Sequence, residues 1–203
     1  MTAMIVWQVL WVALPVTVAG GAHMVLVTRR RWEGLARPLD GGRTLHGRRL
    51  FGANKTWRGV LAMPLLGGIA GAALGAALGP WAARTGVAVL DYGAGPETGR
   101  SGLALGYASV NALLGLAYVL GELPCSFVKR QLDISPGSRG PLGPSWVAFL
   151  LADQLDSVVA ALLVAALALG LPWRVAACGV LVLPAVHLAV TLALRGLRLK
   201  AAV

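Results

Sequence analysis

The chain has 203 residues, 57% of them hydrophobic, a mean hydropathy of +0.73 and a formal net charge of +10. Apolar runs of about twenty residues exclude an ordinary soluble domain, and basic residues confined to the loops between those runs argue against nucleic-acid binding. The length leaves no room for a helix bundle plus a soluble catalytic domain, so residues 1–203 read as one integral-membrane domain, an all-α bundle of about five transmembrane helices.

Span one runs from about Met4 to Val27. It has no basic residue before it and Arg29-Arg30-Arg31 after it. A cleaved leader has the opposite charge order and a shorter apolar core, so this segment reads as an anchor. His23 falls within it. The segment from Thr28 to Gly59 carries nine Lys/Arg, with His46 among them. It is expected to move or order over bound phosphates. Gly47 to Gly52 has the glycine spacing of a phosphate-binding loop, but Lys55-Thr56 arrives two residues late and leads into a span, so that motif is rejected.

Asn54-Lys55-Thr56-Trp57-Arg58-Gly59 leads into span two, from about Val60 to Gly79. Gly67, Gly71, Gly75 and Gly79 recur every four residues and line one helix face, which reads first as tight helix packing and second as a substrate groove. Span three runs from about Leu103 to Leu123. Its Asn111 reads as an interhelical hydrogen-bonding residue, and Glu122 lies near its end. Lys129 and Arg130 follow about two turns later. Span four runs from about Ser145 to Leu169 and holds Asp153 and Asp156. Span five runs from about Trp173 to Leu194 and holds His187. Cys125 and Cys178 fall near opposite membrane faces and read as small packing residues rather than a disulfide or a zinc site.

The loops divide the 18 Lys/Arg fifteen to three between the two sides, which places the N-terminus outside and the C-terminus inside. Trp57, Trp81, Trp146 and Trp173 at the span ends agree with this layout, because indole rings prefer the interface.

Asp153 and Asp156 are the residues with the clearest chemistry. A carboxylate inside a membrane helix costs roughly 2.5–3.5 kcal/mol on insertion scales, and a spacing of three puts both on one helix face. Paired hard oxygen ligands suit Mg²⁺; ion pairs that merely hold the bundle together are the alternative. Glu122 is a third acid in the neighbouring span. Lys55, Arg58, Lys129 and Arg130 lie on the same side. Metal ligands and cations at headgroup depth fit phosphoryl or nucleotidyl transfer, where charge neutralisation does most of the catalysis.

Two blocks then resemble a known family. They are Gly52-Ala53-Asn54-Lys55-Thr56-Trp57-Arg58-Gly59, and the stretch from Glu122 through Ser126-Phe127, Lys129-Arg130, Pro136-Gly137 and Pro141-Leu142 to Asp153-Gln154-Leu155-Asp156-Ser157. Both are similar to the CDP-archaeol synthase family, integral-membrane CTP-dependent cytidylyltransferases related to phosphatidate cytidylyltransferase. The resemblance implies transfer of CMP from CTP to a lipid phosphate, with Mg²⁺ and release of pyrophosphate. It implies that Asp153 and Asp156 hold metal, with Glu122 as a further acidic ligand. It places Lys55, Arg58, Lys129 and Arg130 on the phosphates, with Ser126, Thr56 and Asn54 as further substrate contacts. Glu122 stands where the family pattern has an aspartate. A diether glycerol phosphate and a diacyl phosphatidate both remain open as the lipid. The expected partners are CTP, the lipid phosphate and membrane lipids, without nucleic acid, and a homodimer stays open. The expected location is the inner or plasma membrane with a cytoplasmic active site. A CDP-alcohol phosphotransferase is the second enzyme reading, disfavoured because no second aspartate pair follows. A cation or metabolite transporter is the third, disfavoured because no internal repeat is found.

Overall fold

A computed structural model of the chain describes residues 3–93, 99–136, 138 and 144–196. Five helices carry the architecture: α1 (Ala3–Thr28), α2 (Trp57–Thr85), α3 (Arg100–Gln131), α4 (Pro144–Ala168) and α5 (Trp173–Gly196). Each contains a segment long and apolar enough to cross a membrane. Within a bilayer the helix satisfies its own backbone hydrogen bonds, which is why the spans are helical and why Pro15, Pro64, Pro80, Pro124 and Pro184 are tolerated inside them.

The helices form a closed ring. Each packs on its neighbours in chain order, α5 closes against α1, and α1 also touches α3 across the centre. Lipid tails are as apolar as leucine, so helix association here depends on close packing. The tightest seam is α2 on α3. A Cβ on Gly67 would lie 2.6 Å from the carbonyl oxygen of Asn111, and one on Gly75 would lie 2.7 Å from the Tyr107 ring. The glycine face is therefore filled by α3, and the packing reading holds over the groove reading. Asn111 is buried but spends its amide on its own helix, donating to the Tyr107 carbonyl at 2.9 Å. This corrects the expectation of an interhelical bond: the backbones are too close there for a side chain to bridge them.

At the end of the ring opposite the basic loop, Tyr92 stacks on Tyr107 with ring centroids 3.6 Å apart. Trp11 donates its indole N–H to the Tyr107 hydroxyl at 3.2 Å, and Gln8 donates to the Gly86 carbonyl at 2.9 Å. Burial, with Tyr107 nearby, raises the Tyr92 phenol above its usual range.

The helices are longer than the apolar runs. Span three was expected to end near Leu123, with Lys129 and Arg130 in the following loop; α3 instead continues to Gln131. Cations in a helix's last turn interact favourably with its exposed carbonyls, and Lys129 finds a carboxylate partner on α4.

The loop between α1 and α2 is folded. A hairpin pairs β1 (Thr44–Leu45) with β2 (Arg48–Arg49). Its turn residues, His46 and Gly47, both have positive φ, as a tight two-residue hairpin turn requires. Asp40 organises the segment from within. Its carboxylate is buried and accepts from the backbone N–H groups of Gly42, Phe51 and Gly52 at 3.0, 3.2 and 3.0 Å, and from Arg49. Burial alone would raise this carboxyl, but the Arg49 guanidinium and the three backbone donors outweigh it and hold the group below the usual carboxylate range. The hairpin docks on the end of α3: Arg48 pairs with Asp133 at 2.6 Å, and the Gln131 amide donates to the Arg49 carbonyl at 3.2 Å. Arg48 and Arg49 are spent on these contacts.

Candidate active site

The site lies where α3 and α4 meet at the basic end of the ring. Gly121 makes the approach close, since a Cβ there would lie 3.0 Å from the Asp156 carbonyl oxygen. That proximity sets Glu122, Cys125 and Lys129 of α3 against Asp153, Asp156 and Ser157 of α4.

Lys129 is buried, and its ammonium donates to both oxygens of Asp153, at 2.5 and 2.6 Å. The same ammonium sits 5.5 Å from the centre of the Phe149 ring, a distance at which a cation is attracted to an aromatic face. Cys125 lies beside the pair, its Sγ 3.7 Å from Asp153 Oδ1. Asp156 accepts from the backbone N–H and the hydroxyl of Ser157, at 2.6 and 2.9 Å. The Ser157 hydroxyl also contacts Glu122 at 3.4 Å, and Glu122 forms an ion pair with Lys55 from the α1–α2 loop. Two acid–lysine pairs thus stand side by side with Asp156 next to them.

Arg130 is buried, and its Nε and Nη1 have no hydrogen-bond partner among the described residues. Gly52 covers it. At φ +96° this residue is in a region that favours glycine, and a Cβ there would meet Arg130 Nη1 at 3.0 Å. The Asp40 network holds Gly52 in place, so the loop forms one wall beside the guanidinium. Ser126 is half-buried on α3, one turn from both Glu122 and Arg130 and on their face.

The structure thus brings together Asp153, Asp156, Glu122, Lys55, Lys129 and Arg130. Arg58 lies towards α1, its Nη1 donating to the Arg31 carbonyl at 3.2 Å. Thr56 caps α2 with extended backbone and makes no side-chain capping bond, and Asn54 is exposed beside it. Gly137, Pro141 and Leu142 of the second motif block lie outside the described residues. The sequence reading missed Cys125, Ser157 and Asp40. Cys125 is one turn before Lys129 and reads from the sequence only as a small packing residue, and Ser157 follows Asp156 within the motif without a stated role. Asp40 is one of only two acids in the nine-cation segment, which was its available signal.

A metal has a fitting donor set. Cys125, Asp153 and Asp156 each bring a ligand atom into a group lying within 4.8 Å. The two carboxylates are hard donors suited to Mg²⁺, and the thiol is not. Glu122 is outside that group and is engaged by Lys55 and Ser157.

An apolar cavity adjoins the site inside the ring. Its volume is about 240 Å³, and Glu122 and His23 stand in its wall.

Comparison with known proteins covers nearly the whole chain. The CarS-like CDP-archaeol synthase family model matches residues 1–202. A CDP-archaeol synthase of Halobacterium salinarum is 35% identical over 189 residues, covering 88% of this chain and 85% of that protein. The Thermofilum pendens enzyme of the same name is 35% identical over 95% of this chain and 78% of its own length, and that of Archaeoglobus fulgidus is 32% identical over 80% and 82%. A solved structure of an intramembrane enzyme for archaeal membrane lipid biosynthesis superimposes with a TM-score of 0.57 at 30% identity, over 90% of this chain and 92% of that one.

Proposed function

The chain belongs to the CDP-archaeol synthase family of integral-membrane cytidylyltransferases, and from that premise we propose that it transfers CMP from CTP to a lipid phosphate. The observation that carries this reading is the Lys129–Asp153 pair beside Asp156, with Arg130 one residue on, its Nε and Nη1 without a partner among the described residues.

In this reading Asp153 and Asp156 hold Mg²⁺. Such an ion, when bound, offsets the repulsion between phosphates and stabilises charge on the transferring group. Lys129 and Lys55 exchange their carboxylate partners for phosphate oxygens as substrate binds. Arg130 presents a rigid fork of N–H donors, a geometry matched to phosphate oxygens. Arg58 adds a cation, and Ser126, Thr56 and Asn54 supply neutral donors around the substrate. An oxygen of the lipid phosphate bonds to the α-phosphorus of CTP as the bond to the departing pyrophosphate breaks. A phosphate monoester carries about −1.5 to −2 charges at neutral pH, so the site needs no strong general base. Glu122 then serves to place Lys55 rather than to take a proton.

The fifteen-to-three loop charge puts the site in the cytoplasm, with the N-terminus outside; CTP is available on that side. Residues 1–203 act as one domain.

The test is the fate of label from CTP. With label in the α-phosphate, the proposal predicts radioactivity in the organic phase; with label in the γ-phosphate, it predicts radioactivity only in pyrophosphate. Transfer of the lipid-phosphoryl group from a supplied CDP-lipid to an alcohol, with release of CMP and without use of CTP, would instead identify a phosphotransferase.

A further inference from the structure

The cavity inside the ring is not absorbed by the phosphate chemistry. Val12, Val16, Leu114, Leu162, Leu183 and Val186 wall it along most of its length, with Glu122 and His23 at one end. On α1 its lining runs from Val12 to Met24. That is twelve residue-to-residue steps, or roughly 18 Å at about 1.5 Å per step. Half of a hydrocarbon core about 30 Å thick is roughly 15 Å. The cavity therefore spans about one leaflet, from the carboxylate site to the membrane centre.

Gly20 and Gly21 of α1 also line it. Glycine weakens a helix, and at Gly67, Gly71, Gly75 and Gly121 it is explained by close packing. Here that explanation fails, because a Cβ at either position would meet no atom within 4 Å. The two glycines keep room on the α1 wall rather than let a helix approach. The size is also informative: about 150 Å³ of apolar cavity suffices for a benzene ring, so 240 Å³ accommodates a segment of one chain and not a two-chain lipid.

We infer that this cavity is the binding site for one hydrocarbon chain of the lipid phosphate, which continues from the headgroup at Glu122 and Lys55 into the centre of the helix ring. The inference rests on the proposed CMP transfer and adds the location of the tail. The other chain stays in the bilayer. Chain length and branching are then read inside the protein, by the space beside Gly20 and Gly21.

The experiment compares wild type with Gly20→Leu and Gly20→Ala, offering lipid phosphates with long chains and with short, water-soluble chains. A Cβ at position 20 meets no atom within 4 Å, and leucine favours the helix, so the variant is expected to fold. The inference predicts that Gly20→Leu lowers kcat/KM for the long-chain substrate by roughly tenfold or more, the equivalent of about two methylenes left unburied. Gly20→Ala has a much smaller effect, and the short-chain substrate and KM for CTP are unchanged. Equal loss with both chain lengths, or no loss with either, would overturn it. A second readout needs no turnover: phosphatidate and diether glycerol phosphate, each with a diazirine near a chain end, are photolysed with wild-type protein. Label on α1 and α5 residues lining the cavity supports the inference even if CMP transfer fails, in which case the catalytic reading alone falls. Label confined to lipid-facing residues such as Leu167 and Leu181 overturns it even if transfer succeeds.

Discussion

Lys129 and Asp153 form a pair that is partly sheltered, the lysine side chain 8% exposed and the carboxylate 31%. Removing one partner of a fully buried pair costs about 3–5 kcal/mol, and exposed pairs contribute about 0–1 kcal/mol. Lys129→Met should therefore destabilise the protein by about 1–3 kcal/mol, seen as a lower melting temperature in detergent, and should reduce activity as well. Asp153→Asn and Asp156→Asn should each lower CMP transfer by roughly 10²-fold or more while the fold persists, because a hard ligand is replaced by a weaker one. Arg130→Lys keeps the charge but loses the fork; we expect KM for CTP to rise about tenfold with a smaller change in kcat. An unchanged KM would remove Arg130 from the phosphate site.

At the scale of elements, the α1–α2 loop and the α2–α3 seam make separate predictions. Asp40 has a depressed folded-state pKa, so its stabilising contribution is complete above the ordinary aspartate value near 3.8 and is lost only as pH falls below it. Protease protection of the loop should persist from neutral pH down through that range and fail below it, whereas Asp40→Asn should lose protection at neutral pH as well. A wild-type loop cleaved readily at neutral pH would contradict the Asp40 network. In the seam, Gly67→Leu would drive a side chain into the Asn111 carbonyl. Overpacking typically costs about 1–3 kcal/mol, and where backbone must move we expect the upper end of that range or failure to fold. The spans were legible in the sequence because apolar length alone marks a membrane helix. Their ends were not, since Lys129 and Arg130 look like loop residues, whereas α3 runs on to Gln131. The partner of Lys129, Asp153, lies on another helix, and pairing across elements depends on helix register, which hydropathy does not encode. The glycine face was legible as packing for the opposite reason: a four-residue repeat needs no partner sequence to be read.

Taken as a whole, the molecule is a five-helix ring with its polar chemistry at one end and an aromatic plug at the other. Asp153 and Asp156 were readable as a candidate site because two acids in an apolar span demand compensation, and the family motifs suggested a chemistry for it. The cavity was not readable, because its walls come from all five helices. The proposed orientation can be checked with single cysteines at Gly34 and Asp91, in a background with Cys125 and Cys178 replaced by serine. An impermeant maleimide added outside intact cells should label position 91 and not position 34; the reverse pattern would invert the topology. The most direct test of the central claim is incorporation of α-labelled CMP into lipid by purified protein with Mg²⁺, offered phosphatidate and a diether glycerol phosphate in parallel, beside Asp153→Asn and Asp156→Asn. The account predicts a labelled CDP-lipid from at least one substrate, lost in both variants. Folded wild-type protein that binds CTP and both lipids yet forms no labelled lipid, or variants as active as wild type, would contradict it.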